Sequence, residues 1–248
     1  MARAGANPVM STGAPSAPQS LRIARAPLLS RLIGKAMALG YRLVGKDRYD
    51  DYRLERISGS PFLVMPSVFN PKVPRTGEFL ASMLDSKTVG RDFSVLDMGT
   101  GSGVCAVFAA KHAARVVAVD INPAAVRCAG INVLLNHVND KVDVRQGDLF
   151  SSVPGEQFDL ILFNPPFLRG TPNDDRDRAW RSSDVAERFS SGLSNALKPS
   201  GFALVLLSTF GDAAHFLEQF YGAGLRISVL AERRFVNEKL TIFKLQRS

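Results

Sequence analysis

The 248-residue sequence predicts an α/β fold: an open, mostly parallel sheet of seven strands, helices on both faces and an antiparallel hairpin at its end. Three observations carry this reading. Strand and helix patterns alternate from Phe93 to Leu245. The run Phe158–Phe163 is continuously apolar, as in a strand covered on both faces. The last two strands are separated only by the turn around Phe235–Lys239, too short for a crossover helix.

Each element has a local reason. Two β-like runs, Tyr52–Ile57 and Pro61–Met65, precede a loop marked by Pro71, Pro74 and Gly77. Gly77–Leu84 then reads as a helix whose apolar residues are Phe79, Leu80, Met83 and Leu84. Phe93–Met98 is a buried strand, followed by the Ala-rich helix Gly103–His112 and the β-branched strand Arg115–Val119. Pro123 opens a helix through Leu135, since proline suits a first helical turn. Val142–Arg145 and Phe158–Phe163 are strands, and Ser183–Leu197 is a helix. Phe202–Leu207 is a strand, Ala213–Tyr221 a helix, and Leu225–Leu230 and Leu240–Leu245 form the final hairpin.

Composition sets the outer bounds. A chain with 46% hydrophobic and 22% charged residues is globular, and at 26.9 kDa it is large enough for a substantial core. Two cysteines, Cys105 and Cys128, suit a reducing compartment, so a cytoplasmic location is expected. No apolar run is long enough to span a bilayer, and no secretory apolar region follows Arg3. The net charge of +8 is unevenly placed. Arg3, Arg22, Arg25, Arg31, Lys35, Arg42 and Lys46 precede the first acid, Asp47, so residues 1–46 carry +7. The remaining 24 bases and 23 acids leave +1.

Residues 1–20, rich in Ala, Gly, Pro and Ser, read as a disordered tail. Residues 21–58 read as an N-terminal helical and β extension, and 59–248 as the main domain. From Pro27 an amphipathic helix is expected through about Arg42, with Leu28, Leu29, Leu32, Ile33 and Met37 largely on one face. It packs on the domain or helps hold a substrate, forms part of an organelle transit peptide, or contacts nucleic acid.

In an open parallel sheet, ligands bind beyond the carboxyl ends of the strands. Asp97-Met98-Gly99-Thr100-Gly101-Ser102-Gly103 follows a buried strand and opens a helix. Glycines at alternate positions permit positive φ and close approach of backbone to a ligand, though such a turn also occurs as a purely structural device. Two further carboxylates narrow the reading: Asp120 ends the next strand, where it can accept from a ribose diol, and Asp148 follows the third, where it can accept from an adenine amino group. Asn164-Pro165-Pro166-Phe167 follows the apolar strand. Two prolines remove two backbone donors and leave rigid acceptors. The Asn164 side-chain oxygen and the Pro165 carbonyl can take both hydrogens of a planar –NH2 group, and Phe167 can stack on it.

These residues resemble a class I S-adenosylmethionine-dependent methyltransferase with its Rossmann-like fold. The Asn-Pro-Pro-aromatic motif marks the branch that methylates adenine-N6, guanine-N2 and glutamine-N5 nitrogens. Within it the chain is most similar to the HemK/PrmC family, which methylates a glutamine of polypeptide release factors. Pro74-Arg75-Thr76-Gly77-Glu78 is similar to that family's Pro-Arg-x-x-Thr-Glu region, with shorter spacing. The resemblance implies S-adenosyl-L-methionine as cofactor, held by Thr76, Asp97, Gly99, Thr100, Gly101, Gly103, Asp120, Asp148, Leu149 and Asn164. It implies catalysis by Asn164, Pro165, Pro166 and Phe167, on a protein glutamine or alternatively on an exocyclic amine of rRNA or tRNA, or a small-molecule amine. Phe167 stands where the glutamine enzymes usually have Tyr, and residues 1–58 do not resemble their helical substrate-holding domain. The charged loop Leu168–Asp184 reads as the natural substrate selector or as a solvated charged loop, and Trp180 as its apolar anchor in preference to a substrate platform. His112, His137 and His215 lack metal-ligand spacing and read as structural or surface residues, so no metal is expected.

Overall fold

The structure, a computed structural model, describes residues 51–71, 75–172, 181–236 and 238–248. The expected tail 1–20, the helix from Pro27 to Arg42, Pro74 and Trp180 lie outside these residues. The elements are β1 (Arg53–Ile57), β2 (Ser60–Val64), α1 (Thr76–Ala81), β3 (Ser94–Met98), α2 (Val104–Ala110), β4 (Arg115–Asp120), α3 (Pro123–Leu135) and β5 (Val142–Gln146). A short 3-10 turn, Leu149–Ser152, leads to β6 (Phe158–Phe163). Then follow β7 (Leu168–Arg169), β8 (Arg181–Ser182), α4 (Val185–Ala196), β9 (Leu197–Ser208), α5 (Ala213–Gly222), β10 (Leu225–Arg234) and β11 (Lys239–Arg247).

The central sheet has seven strands in the order β10-β11-β9-β6-β3-β4-β5. Five pair in parallel, and β11 lies antiparallel to both β9 and β10. The terminal hairpin is therefore present, with its second strand inserted inside its first.

Alternation along the strands divides the core into two layers. Val95, Val116, Ala118, Leu160, Leu162, Leu204 and Leu206 face α1, α2 and the β1–β2 hairpin. Leu96, Met98, Val117, Val119, Ile161, Phe163, Ala203 and Val205 face α4 and α5. In the second layer Phe189 of α4 is fully buried, stacked on Phe163 at 4.4 Å between ring centroids and on Phe150 at 5.7 Å.

The helix and strand bounds follow local chemistry. Asn122 caps α3: its side-chain oxygen accepts the Ala124 N–H at 2.9 Å, and Pro123 fills the first position. β9 begins at Leu197, five residues before the strand expected from Phe202. Pro199 and Gly201 read as turn punctuation, but the strand runs through them with a register shift opposite Phe158–Leu160. A Cβ on Gly201 would lie 2.7 Å from the Phe158 carbonyl, so only glycine allows that approach.

The β1–β2 hairpin is fastened to α3 through one buried side chain. Asn132 Oδ1 accepts the Leu63 N–H at 2.7 Å, and its Nδ2 donates to the Leu63 carbonyl at 2.7 Å and to the Ser102 carbonyl at 2.8 Å. It pairs with β2 as a neighbouring strand would and ties that strand to the glycine turn. The boundary expected between 58 and 59 falls at the turn of this hairpin.

Candidate active site

The carboxyl ends of β3, β4, β5, β6 and β9 share one edge of the sheet, and nearly all the expected site residues sit there. Gly99, Gly101 and Gly103 all have positive φ, at 66°, 55° and 81°. At Gly103 the requirement is doubled, since a Cβ would also lie 3.1 Å from Ala129 Cα on α3. At Gly101 nothing lies within 4 Å of where a Cβ would stand, so the turn's outer side is open.

Two acids hold this turn. Asp97, buried within β3, accepts from the Thr100 hydroxyl at 2.6 Å and from the Ala106 N–H at 2.9 Å, both on Oδ2. Burial pushes its carboxyl up to about 7, against the lowering effect of those two hydrogen bonds; the nearby Asp120 adds to the rise. Asp120 accepts from the Gly101 N–H and the Asn122 N–H, each at 2.9 Å, and burial also raises its carboxyl above the usual range.

The Asn164 motif is fixed from two sides. Its Nδ2 donates to the hydroxyl of Thr76 at 3.2 Å, joining residues 88 apart in sequence. Thr76 is fully buried as the first residue of α1, behind Arg75 in the left-handed region. Asn164 Oδ1 is buried and has no hydrogen-bond partner among the described residues. Pro165 is buried, Pro166 and Phe167 are half-buried, and Phe167 packs against the α1–α2 core layer. The Phe167 carbonyl accepts the Asp212 N–H at 3.1 Å, and a Cβ on Gly211 would stand 2.5 Å from that oxygen. The motif is thereby locked to the β9–α5 turn.

Asp148 is at the same edge but engaged elsewhere: its Oδ2 lies 2.7 Å from Arg188 of α4. Leu149, next to it, holds a left-handed φ of 51°, an uncommon state for a branched residue. Beyond Phe167, β7 and β8 pair and close the base of the charged loop, with the Gly170 N–H donating to the Ser182 carbonyl at 3.0 Å. The cleft beside this loop holds Glu187 and His215, 2.9 Å apart. His215 thus stands in the candidate site region, where spacing alone placed a structural or surface residue. Burial works against ionisation of Glu187. The nearby backbone amide of Glu187 itself and His215, with the charges of His215 and Arg169, nevertheless hold its carboxyl below the usual range. Among the described residues no group of three His, Cys, Asp or Glu side chains has metal-binding geometry, and no helix is long and apolar enough to cross a membrane.

The family description "Methyltransferase small domain" matches residues 60–234. The chain belongs to this family. It is a methyltransferase that uses S-adenosylmethionine, on a class I Rossmann-like fold. A Methanocaldococcus jannaschii protein, provisionally named a protein N5-glutamine methyltransferase, is 30% identical over 201 residues, covering 77% of this chain and 98% of that one. The release factor glutamine methyltransferase of Koribacter versatilis is 31% identical over 199 residues, covering 68% of this chain and 70% of its own. Among solved structures, a 16S rRNA N2 guanosine methyltransferase from T. thermophilus, bound to S-adenosylmethionine and guanosine, superposes with a TM-score of 0.59 at 24% identity. That match covers 79% of this methyltransferase and 50% of the rRNA enzyme, and it shows the fold.

Proposed function

We propose that this methyltransferase acts on the side-chain amide nitrogen of a protein glutamine, of the kind carried by a release factor. The observation that carries the reading is Asn164 Oδ1: a buried acceptor without a partner among the described residues, at the carboxyl end of β6, with its amide nitrogen already committed to Thr76. An unmet buried acceptor calls for a donor from a ligand. Asn164 Oδ1 and the Pro165 carbonyl can take the two hydrogens of a planar –NH2 and aim its lone pair away from them. The names of the M. jannaschii and K. versatilis relatives support a glutamine acceptor. Phe167 in place of Tyr favours the second reading, an exocyclic amine of rRNA or tRNA.

The open side of the Gly99–Gly103 turn fits the cofactor. Asp120 would take the ribose hydroxyls, Asp148 and Leu149 the adenine, and Thr76 and Asn164 would border its reacting end. When bound, S-adenosylmethionine supplies an electrophilic methyl group on a positively charged sulfur. Thr100 and Gly101 shape the turn through Asp97 and Asp120, and the raised carboxyl of Asp97 would be drawn toward its ionised form by a neighbouring cation. As the acceptor nitrogen gains positive character its hydrogens become stronger donors, so Asn164 and Pro165 hold the transition state more tightly than the ground state. Residues 59–248 are read as the catalytic domain and 21–58 as its extension. The free, buried thiols of Cys105 and Cys128 accord with a cytoplasmic enzyme.

The test is transfer of labelled methyl from S-adenosylmethionine to purified release factor, ribosomes and tRNA. Label in release factor, at glutamine, is expected. Asn164→Ala should lower kcat by about 10²–10³-fold, as loss of one oriented polar group at a reacting centre does, with cofactor affinity by calorimetry changed only a few-fold. Label confined to nuclease-sensitive material would refute the glutamine assignment, and unchanged turnover in Asn164→Ala would refute the catalytic one.

A further inference from the structure

The Asn164 motif opens onto a cleft. Its near wall is Pro166 and Phe167, its far wall Glu187 of α4, and its third side Asp212 and His215 at the start of α5. All three walls stand at the carboxyl edge of the sheet. The loop base is held by β7–β8 pairing and the near wall by the Phe167–Asp212 hydrogen bond, so the cleft is preformed.

Inside it, Glu187 is half satisfied. One oxygen, Oε1, is taken by His215 at 2.9 Å, with Arg169 at 3.8 Å. The other, Oε2, is buried and has no hydrogen-bond partner among the described residues. An ionised carboxylate accepts only, so the group that completes this site must bring an N–H or O–H. We propose that this cleft is a peptide subsite: Glu187 Oε2 accepts a backbone N–H of the substrate chain beside the side chain held by Asn164. The inference rests on the glutamine reading above and names the part of the site that would select its substrate.

One observation favours a peptide over a nucleotide. The cleft pairs apolar surface from Phe167 and Phe216 with one buried acceptor that lacks a partner among the described residues, Glu187 Oε2, which suits a main chain that offers one donor per residue.

The experiment compares wild type and Glu187→Gln with purified release factor as the acceptor and labelled S-adenosylmethionine as donor. Glutamine keeps the shape and an acceptor toward His215, and puts an –NH2 where Oε2 stands. The KM for release factor should rise about tenfold or more, with kcat changing far less and cofactor affinity by calorimetry unchanged, because a charge-assisted hydrogen bond is replaced by two opposed donors. His215→Gln, which disturbs only Oε1, should raise KM less. An unchanged KM in Glu187→Gln, with wild type labelling release factor, would overturn the subsite and leave the glutamine reading standing. Wild type that labels RNA alone would overturn both.

Discussion

Asp97→Asn tests whether the glycine turn is held by a carboxyl that burial keeps from ionising. The native carboxyl titrates at about 7 against an ordinary value of 3.8. The folded state therefore binds this proton more tightly than the unfolded chain does. Its contribution to stability is fully present below the unfolded value and is lost as pH rises through about 7. At about 1.4 kcal/mol per tenfold, the full loss is roughly 4 kcal/mol. Most of that range lies between acid and neutral pH, and between about pH 5.5 and about pH 8 the share lost is roughly 2 kcal/mol. Asparagine is nearly isosteric, and its oxygen can still accept from Thr100 and Ala106, where Oδ2 now does. It cannot ionise. Urea unfolding of wild type and variant at the two pH values should thus show wild type losing about 2 kcal/mol more than Asp97→Asn as the medium becomes basic. Glu238, a raised carboxyl outside the glycine turn, titrates in both proteins and cancels, and coupling to Asp120 is removed by repeating the comparison in an Asp120→Asn background. Equal pH dependence in the two proteins would refute the reasoning.

Two further substitutions probe what surrounds the turn. Gly103→Ala places a Cβ 3.1 Å from Ala129 Cα at a φ of 81°, and strain plus overpacking should cost roughly 2–4 kcal/mol, read as a lower Tm with weakened cofactor binding. Asn132→Ala removes both bonds to Leu63 and the one to Ser102. It should cost about 3 kcal/mol and speed hydrogen exchange at the Leu63 amide well before the central strands are affected; unchanged exchange there would show that the hairpin is held by other contacts.

What the sequence disclosed was mostly what is local. The apolar run of β6 and the Pro123 start of α3 needed no partner to be read, and the strand and helix they predict match the structure residue for residue. The start of β9 was hidden because Pro199 and Gly201 look like a turn until the neighbouring Phe158 carbonyl is in place. α1 ends at Ala81, short of the expected Leu84, as Met83 and Leu84 close with tighter three-residue hydrogen bonds. In the site, the placing of the glycine turn and Asp120 at successive strand ends was legible, but the hydrogen bond from the Gly101 N–H to Asp120 was not. The pairing of Asp148 with Arg188 was not, nor was Glu187 with His215, because these partners lie 40 and 28 residues apart and meet only when α4 and α5 pack on the same face. Asn132 gave no sign either: a lone asparagine in a helix looks solvated until β2 is laid against it.

The position of β11 bears on how the enzyme is made. β9 pairs with β11 and not with β10, so one long edge of β9 has no neighbour until residues 239–247 arrive. A nascent chain that has already built the cofactor turn, the Asn164 motif and the Gly211 lock still presents an apolar open edge of the sheet to the ribosome exit and its surroundings. β10 pairs with β11 alone, so it joins the sheet only through the hairpin that β11 docks on β9. Closing that edge of β9 thus depends on the last strand of the sheet to be synthesised.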